Sequence, residues 1–328
     1  MSERKNRLDY IDRTKGILII LVVIGHIWQY GFVHSCIYKF HMASFFLISG
    51  YLLSLTRSFE RGYGRFAAKR AFAFLMPYLF MEVLGVAHNI MRNGVQLNWK
   101  GYLFNTLSLR TNDMDVWFLR TLLVIELLFP LLLRVLKKRD LVLLAACGMC
   151  GASLFIAPKS LYVEILCNIL LYFLPFSVGF YFGKNFSVRK LMLLPFALVL
   201  VLFAGYMDWK SLALPGPIIR CFRIIAGFGG AYLIIQLSRC IDKPVSSVLD
   251  HFGKNSIIVY CTHHILYTVI GLLIGYMDFS TIPFLPGLLI LLAVLILEFP
   301  IIYCFNRWLP FLVGRHYKDR AKFMRLPA

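Results

Sequence analysis

Acidic residues are scarce in this chain. Asp and Glu number 16 against 35 Lys and Arg, and the four charged types together make up only 16% of 328 residues. So little charge beside 59% hydrophobic residues excludes an ordinary soluble globule. The net charge of +19 does not point to nucleic acid, because the basic residues come in short clusters between apolar runs. That is the distribution of membrane-topology signals and anionic-lipid contacts, so membrane lipids are expected partners and nucleic acid is not. A disulfide framework is lacking as well: most of the eight cysteines, Cys167, Cys221, Cys261 and Cys304 among them, lie inside apolar stretches. Cys147-Gly-Met-Cys150 has CxxC spacing, but no second pair or nearby histidine completes a metal site, and no metal is expected. No A-x-A-type cleavage site follows the first apolar segment, which is therefore expected to stay in the mature protein. Low-complexity linkers and internal repeats are absent too, and a single domain over 1–328 is the expectation.

What the chain does have is repeated apolar runs near twenty residues, the length that crosses a hydrocarbon layer about 30 Å thick. The fold expected is an all-α polytopic membrane protein. Ten spans are predicted near 16–33, 37–56, 72–91, 115–134, 141–157, 161–182, 190–207, 216–238, 255–275 and 284–306, with longer connections near 57–71, 92–114 and 239–254. Counting Lys and Arg on alternate sides puts 26 of the 35 with the N-terminus, the loops after even-numbered spans and the C-terminus. Both termini, the basic segments 1–15 and 307–328, are therefore expected in the cytoplasm.

The first span runs from Arg13-Thr14-Lys15-Gly16 to Gly25-His26. At about 1.5 Å per residue, Lys15 and His26 stand roughly 16 Å apart along a helix. With Lys15 at one membrane face, His26 lies beyond the bilayer middle, where an ionisable group is costly and reads as a functional site facing the protein interior. His41 enters the second span at a similar level, so the two imidazoles are expected to share a cavity. Ser49 and Gly50 allow another helix or a ligand close to the backbone. Lys69 and Arg70 open the third span, and Pro77 within it is tolerable where it borders a cavity.

Further along, Trp117 suits an interfacial position. Arg120 and Glu126 are both charged inside a span and do not face each other at helical spacing, so each is expected to look to another helix. Arg220 and Arg223 lie one turn apart and suit either a vestibule for a polar or acidic substrate or pairing with acids elsewhere. Asn255 or Ser256 suits a helix start ahead of Tyr260, His263 and His264. Adjacent histidines point about 100° apart, so at most one of the two is expected to face the main cavity.

Four passages together resemble the acyltransferase-3 family of integral membrane acyltransferases, closest to its sugar O-acetylase, fucose-acetylase-like branch. They are Asp12-x2-Lys15-x10-His26, Phe40-His41-Met42 running to Ser49-Gly50-Tyr51, Arg70-x6-Pro77-Tyr78, and Trp117-Phe118-Leu119. Gly253-Lys254-Asn255-Ser256 through Tyr260-x2-His263 adds a fifth. One departure stands out: the family often has two arginines three apart at the head of the third span, and here Ala73 takes the second place after Arg70. No fused soluble domain of the kind some members carry is expected.

The resemblance implies transfer of an acyl group, most often acetyl, from cytosolic acyl-CoA to a hydroxyl of a glycan or glycolipid on the outer side of a bacterial inner membrane. On that reading Lys15, Lys69 and Arg70 suit the phosphates of acetyl-CoA, with Tyr260 and His263 contacting donor or intermediate. His26 is base or transient acyl carrier, His41 orients it or the acceptor, and Trp117, Arg120, Glu126, Arg220 and Arg223 face the acceptor. Asp12 fixes the first helix or its cations. A transporter or flippase of a glycan or lipid precursor, or a structural subunit of a glycan-assembly complex, would also need intramembrane charge.

Overall fold

The computed structural model describes residues 2–94, 98–110, 116–182, 193–210, 215–275, 282–317 and 323. Among them it is all-helical, with twelve α-helices and no strand. A helix occupies each of the ten predicted stretches: α1 (Ser2–Ile27), α2 (Phe32–Thr56), α3 (Tyr63–Asn93), α5 (Trp117–Leu136), α6 (Arg139–Phe155), α7 (Leu161–Phe182), α8 (Leu194–Trp209), α9 (Gly216–Cys240), α11 (Ser256–Leu273) and α12 (Phe284–Trp308). By length and composition, six of these (α2, α3, α7, α9, α11 and α12) are long and apolar enough to cross a membrane, as befits an integral membrane protein. The others fall short for visible reasons. At 17 and 16 residues, α6 and α8 are short, while α5 carries Arg120, Glu126 and Arg134 along its length.

Several boundaries differ from expectation. Two of the expected connections hold helices of their own, α4 (Trp99–Leu107) and α10 (Val245–Lys254). The connection expected near 239–254 therefore ends in α10, which meets the start of α11 at Asn255. In α10, Leu249 and Phe252 are buried while Val245 and Val248 are exposed, the one-sided pattern of a helix lying against the bundle rather than through it. The first connection lies at 28–31, earlier than expected, and places His34 inside α2. Arg65, Lys69 and Arg70 stand on α3, which begins at Tyr63 and runs through Pro77.

Two backbone-to-backbone contacts set the frame. A Cβ on Gly16 of α1 would overlap the Leu249 carbonyl of α10, and one on Gly253 would overlap the Asp12 carbonyl. The same reciprocity joins α2 to α7, where Gly50 meets the Phe176 carbonyl and Gly179 the Leu47 carbonyl. Such contacts substitute for hydrophobic driving force between helices in lipid, because close approach multiplies dispersion contacts. Phe46, Tyr172, Phe173, Phe176 and Phe129 fill the space between α2, α5 and α7, with the Phe46 and Tyr172 rings stacked at 4.6 Å.

At the α10–α11 junction, Asn255 is fully buried and acts as a hub. Its side-chain amide donates to the His251 carbonyl (2.9 Å), and its oxygen accepts from Asn306 of α12 (2.9 Å) and from Arg315 (2.9 Å). The expected helix start is therefore in place, but the side chain ties three segments together instead of capping its own helix. Arg13 ties α1 to the end of α9 through the Ser238 and Ile241 carbonyls and pairs with Asp250 at 3.3 Å.

Candidate active site

Two cavities lie end to end between α1, α2, α5 and α11. The larger, about 430 Å³, is mostly apolar and has Lys15, Arg70, Glu126 and Ser49 among its lining residues. The smaller, about 260 Å³, is more polar and is lined by His26, His41, Lys39, Arg223, Asp208 and Trp117 among others. Val22, Met42 and Tyr260 border both and form the neck between them. The length of α1 accounts for the layout: its eleven-residue step from Lys15 to His26 spans roughly 16 Å of axis, so one helix presents a cation to one cavity and an imidazole to the other.

In the histidine cavity, the Tyr38 hydroxyl stands 3.5 Å from Nδ1 of His26. Tyr38 stacks on His34, with centroids 4.0 Å apart, and meets His41 edge-on at 5.0 Å. His41 is buried and donates from Nδ1 to the Ile37 carbonyl at 2.8 Å, which points its other ring nitrogen away from its own helix. Lys39, also buried, is ion-paired with Asp208 of α8. Behind His26 lie both His263 and His264, with ring centroids 5.2 and 4.4 Å away. Neither of the pair lines either cavity, within the expectation that at most one would face it; instead α1 packs so that His26 meets both rings. His263 donates from Nδ1 to the Val259 carbonyl at 2.8 Å, and His264 pairs through Nδ1 with the Tyr267 hydroxyl at 2.7 Å.

The apolar cavity has three charged residues in its lining, Lys15, Arg70 and Glu126. Lys15 pairs with Asp12 at 2.7 Å, in keeping with a fixing role for Asp12. Nε of Arg70 pairs at 2.7 Å with the carboxylate of Glu126, which is 3% exposed. Glu126 does look to another helix, and its charge is balanced there; an unpaired carboxylate so deep would be costly.

The structure thus sorts the predicted residues. His26, His41, Trp117 and Arg223 line the histidine cavity, Lys15, Arg70 and Glu126 the apolar one, and Tyr260 both. His263 is 1% exposed and sits behind His26 rather than on a cavity wall. Lys69 is exposed and borders neither cavity. Arg120 donates to the Leu109 carbonyl, and Arg220 donates to the Ser153 and Ile156 carbonyls at the end of α6. Neither borders either of these two cavities; their guanidiniums donate to helix-end or loop carbonyls instead. Sequence reasoning passed over Tyr38, Lys39 and Asp208. Lys39 had left a signal, a cation two residues before His41 in an apolar span.

A family model described as an acyltransferase domain matches residues 8–307. Nodulation protein NolL of Sinorhizobium fredii is 32% identical over 232 residues, covering 62% of this chain and 58% of that protein. Nodulation protein NolL of Mesorhizobium japonicum is 43% identical over 89 residues, 23% of either chain. The chain thus spans less than two thirds of the length of these relatives. No solved structure matches.

Proposed function

Because the chain belongs to the acyltransferase-3 family, whose domain covers residues 8–307, we propose that it moves an acetyl or other short acyl group from cytosolic acyl-CoA to a hydroxyl of a cell-surface or exported glycan or glycolipid. The membrane is the bacterial inner membrane, crossed ten times as a single domain, with both termini in the cytoplasm. The observation that carries this reading is the pair of cavities meeting at Val22, Met42 and Tyr260. On the cytoplasmic side, the apolar cavity takes the long arm of the donor. Lys15 and the terminal nitrogens of Arg70 lie near the phosphates, and Lys69 adds to the basic approach. The thioester reaches the neck beside Tyr260, and the acceptor enters the histidine cavity from outside, held by Trp117, Arg223 and Lys39.

At the neck, the neutral His26 imidazole accepts the proton of the acceptor hydroxyl as that oxygen attacks the thioester carbonyl. The tetrahedral intermediate collapses with cleavage of the C–S bond, and the departing thiolate takes the proton back from His26. In the covalent variant a ring nitrogen of His26 attacks first and the thiolate leaves, taking the proton of the other ring nitrogen; the hydroxyl then displaces the histidine and returns its proton to the ring. His41 orients the acceptor, and Tyr38 and His263 hold the His26 ring. Arg120, Glu126 and Arg220 keep the helices around the two cavities in place.

The test is direct. Purified protein and its His26→Ala variant are given radiolabelled acetyl-CoA with and without glycan extracts, and both CoA release and label on the protein are followed. Histidine-dependent release supports the reading, and label on the protein selects the covalent route. Release that is unchanged by His26→Ala, or absent with every extract and donor, overturns it, and transport of a glycan or lipid precursor then becomes the reading to assay.

A further inference from the structure

We propose that His26, His263 and His264 form a binding site for a divalent transition-metal ion, Zn²⁺ in the first place, and that an ion held there blocks transfer by occupying the His26 lone pair. The three imidazoles come from two helices, α1 and α11, and one ring nitrogen of each lies within 4.8 Å of the others. Among the described residues this is the one such grouping of His, Cys, Asp or Glu. Nitrogens on a tetrahedral Zn²⁺, at about 2.0–2.1 Å from the metal, are about 3.4 Å apart. The rings therefore need to close by at most about 1.4 Å.

A second, independent observation points the same way. His263 is 1% exposed, and its Nε2 is buried with no hydrogen-bond partner. Since its Nδ1 proton goes to the Val259 carbonyl, Nε2 holds the lone pair. A buried acceptor left without a donor is a cost the fold bears, and a metal ion would relieve it. Outer partners are also in place: the Val259 carbonyl for His263, the Tyr267 hydroxyl for His264 and the Tyr38 hydroxyl for His26. Metal-binding histidines ordinarily have such a partner on the other ring nitrogen, fixing tautomer and ring orientation.

An all-nitrogen set favours Zn²⁺, Cu²⁺ or Ni²⁺ over Mg²⁺ or Ca²⁺, which prefer oxygen. His26 borders the histidine cavity, which is the side from which an ion would arrive. A neutral imidazole has one lone pair. Once this is given to a metal, His26 can neither accept the hydroxyl proton nor attack the thioester. This inhibitory part rests on the function proposed above; the binding part does not.

Metal binding is therefore measured first and without donor. Full-length protein is titrated with Co²⁺ and followed by its visible absorption, then with Zn²⁺ in competition, with Mg²⁺ as control. One ion per chain is expected, without the intense near-ultraviolet band of cobalt–thiolate coordination, which would instead implicate Cys147 and Cys150. His26→Ala and His264→Ala are expected to weaken binding by more than ~100-fold, beyond the effect of losing an outer partner. His264→Gln serves if the alanine variant fails to fold. No stoichiometric binding, a thiolate spectrum, or binding indifferent to these substitutions overturns the proposal. Zn²⁺ is then expected to abolish CoA release, with recovery on chelation; stoichiometric binding through His26 with full activity retained would overturn the inhibitory part alone.

Discussion

His251 illustrates how much one buried side chain can say. Its ring is stacked on Phe299, with centroids 5.3 Å apart, and neither ring nitrogen has a hydrogen-bond partner. Burial, with Lys254 nearby, holds its pKa below the ordinary 6.5. The fold thus keeps this imidazole neutral, and protonation opposes folding. The contribution is intact above about pH 6.5 and is lost as the pH falls through that value toward the lowered one. His251→Phe should therefore flatten the fall in melting temperature between about pH 7 and about pH 5. An unchanged slope in detergent-solubilised protein would remove His251 as the cause. Tyr38→Phe tests the group nearest Nδ1 of His26. Losing one hydrogen bond is worth ~1 kcal/mol, so kcat should fall about 3- to 10-fold with KM for the donor little changed. Asn255→Ala leaves Asn306 and Arg315 without their shared buried acceptor and should lower stability by about 3 kcal/mol, read by thermal or denaturant unfolding.

Among the helices, the close contacts at glycine decide which neighbours pair. A Cβ at Gly50 or Gly179 would meet backbone, not the yielding end of a side chain. Either change to Ala should push α2 and α7 apart and cost about 1–3 kcal/mol. Gly148, on α6, faces open space, so Gly148→Ala should do the opposite and add up to about 1 kcal/mol through helix propensity. The contrast separates close approach from a general effect of glycine, and equal shifts in melting temperature for all three would refute the packing argument. Gly50 had announced this role in the sequence. Gly16 and Gly253 had not, because the latter was placed in a loop; α10 is short and amphipathic, and its apolar face is too narrow to stand out beside spans that are greasy all round.

For the molecule as a whole, the neck between the cavities is the feature on which the proposed transfer depends. Met42→Trp would fill it while leaving Lys15 and Arg70 untouched. Turnover should drop by about 100-fold, the penalty of displaced reacting groups, with binding of labelled acyl-CoA retained. Loss of both would mean that the two cavities do not divide donor from acceptor in this way.

Composition and the spacing of apolar runs were enough to establish an all-helical membrane protein, because a lipid solvent requires backbone polar groups to be satisfied within each helix. The Lys15-x10-His26 spacing likewise placed a cation and an imidazole about 16 Å apart on one helix, since rise per residue is a local property. Which side chains meet across helices is not local. Only the packing of α1 against α10 and α11 brought His26 against both His263 and His264. Only the α3–α5 contact gave Arg70 to Glu126, and only the ends of α6 and the 98–110 segment claimed Arg220 and Arg120 for backbone carbonyls. A charge inside a span announces that it needs a partner; the tertiary structure decides whether that partner is a carboxylate, a carbonyl or the contents of a cavity.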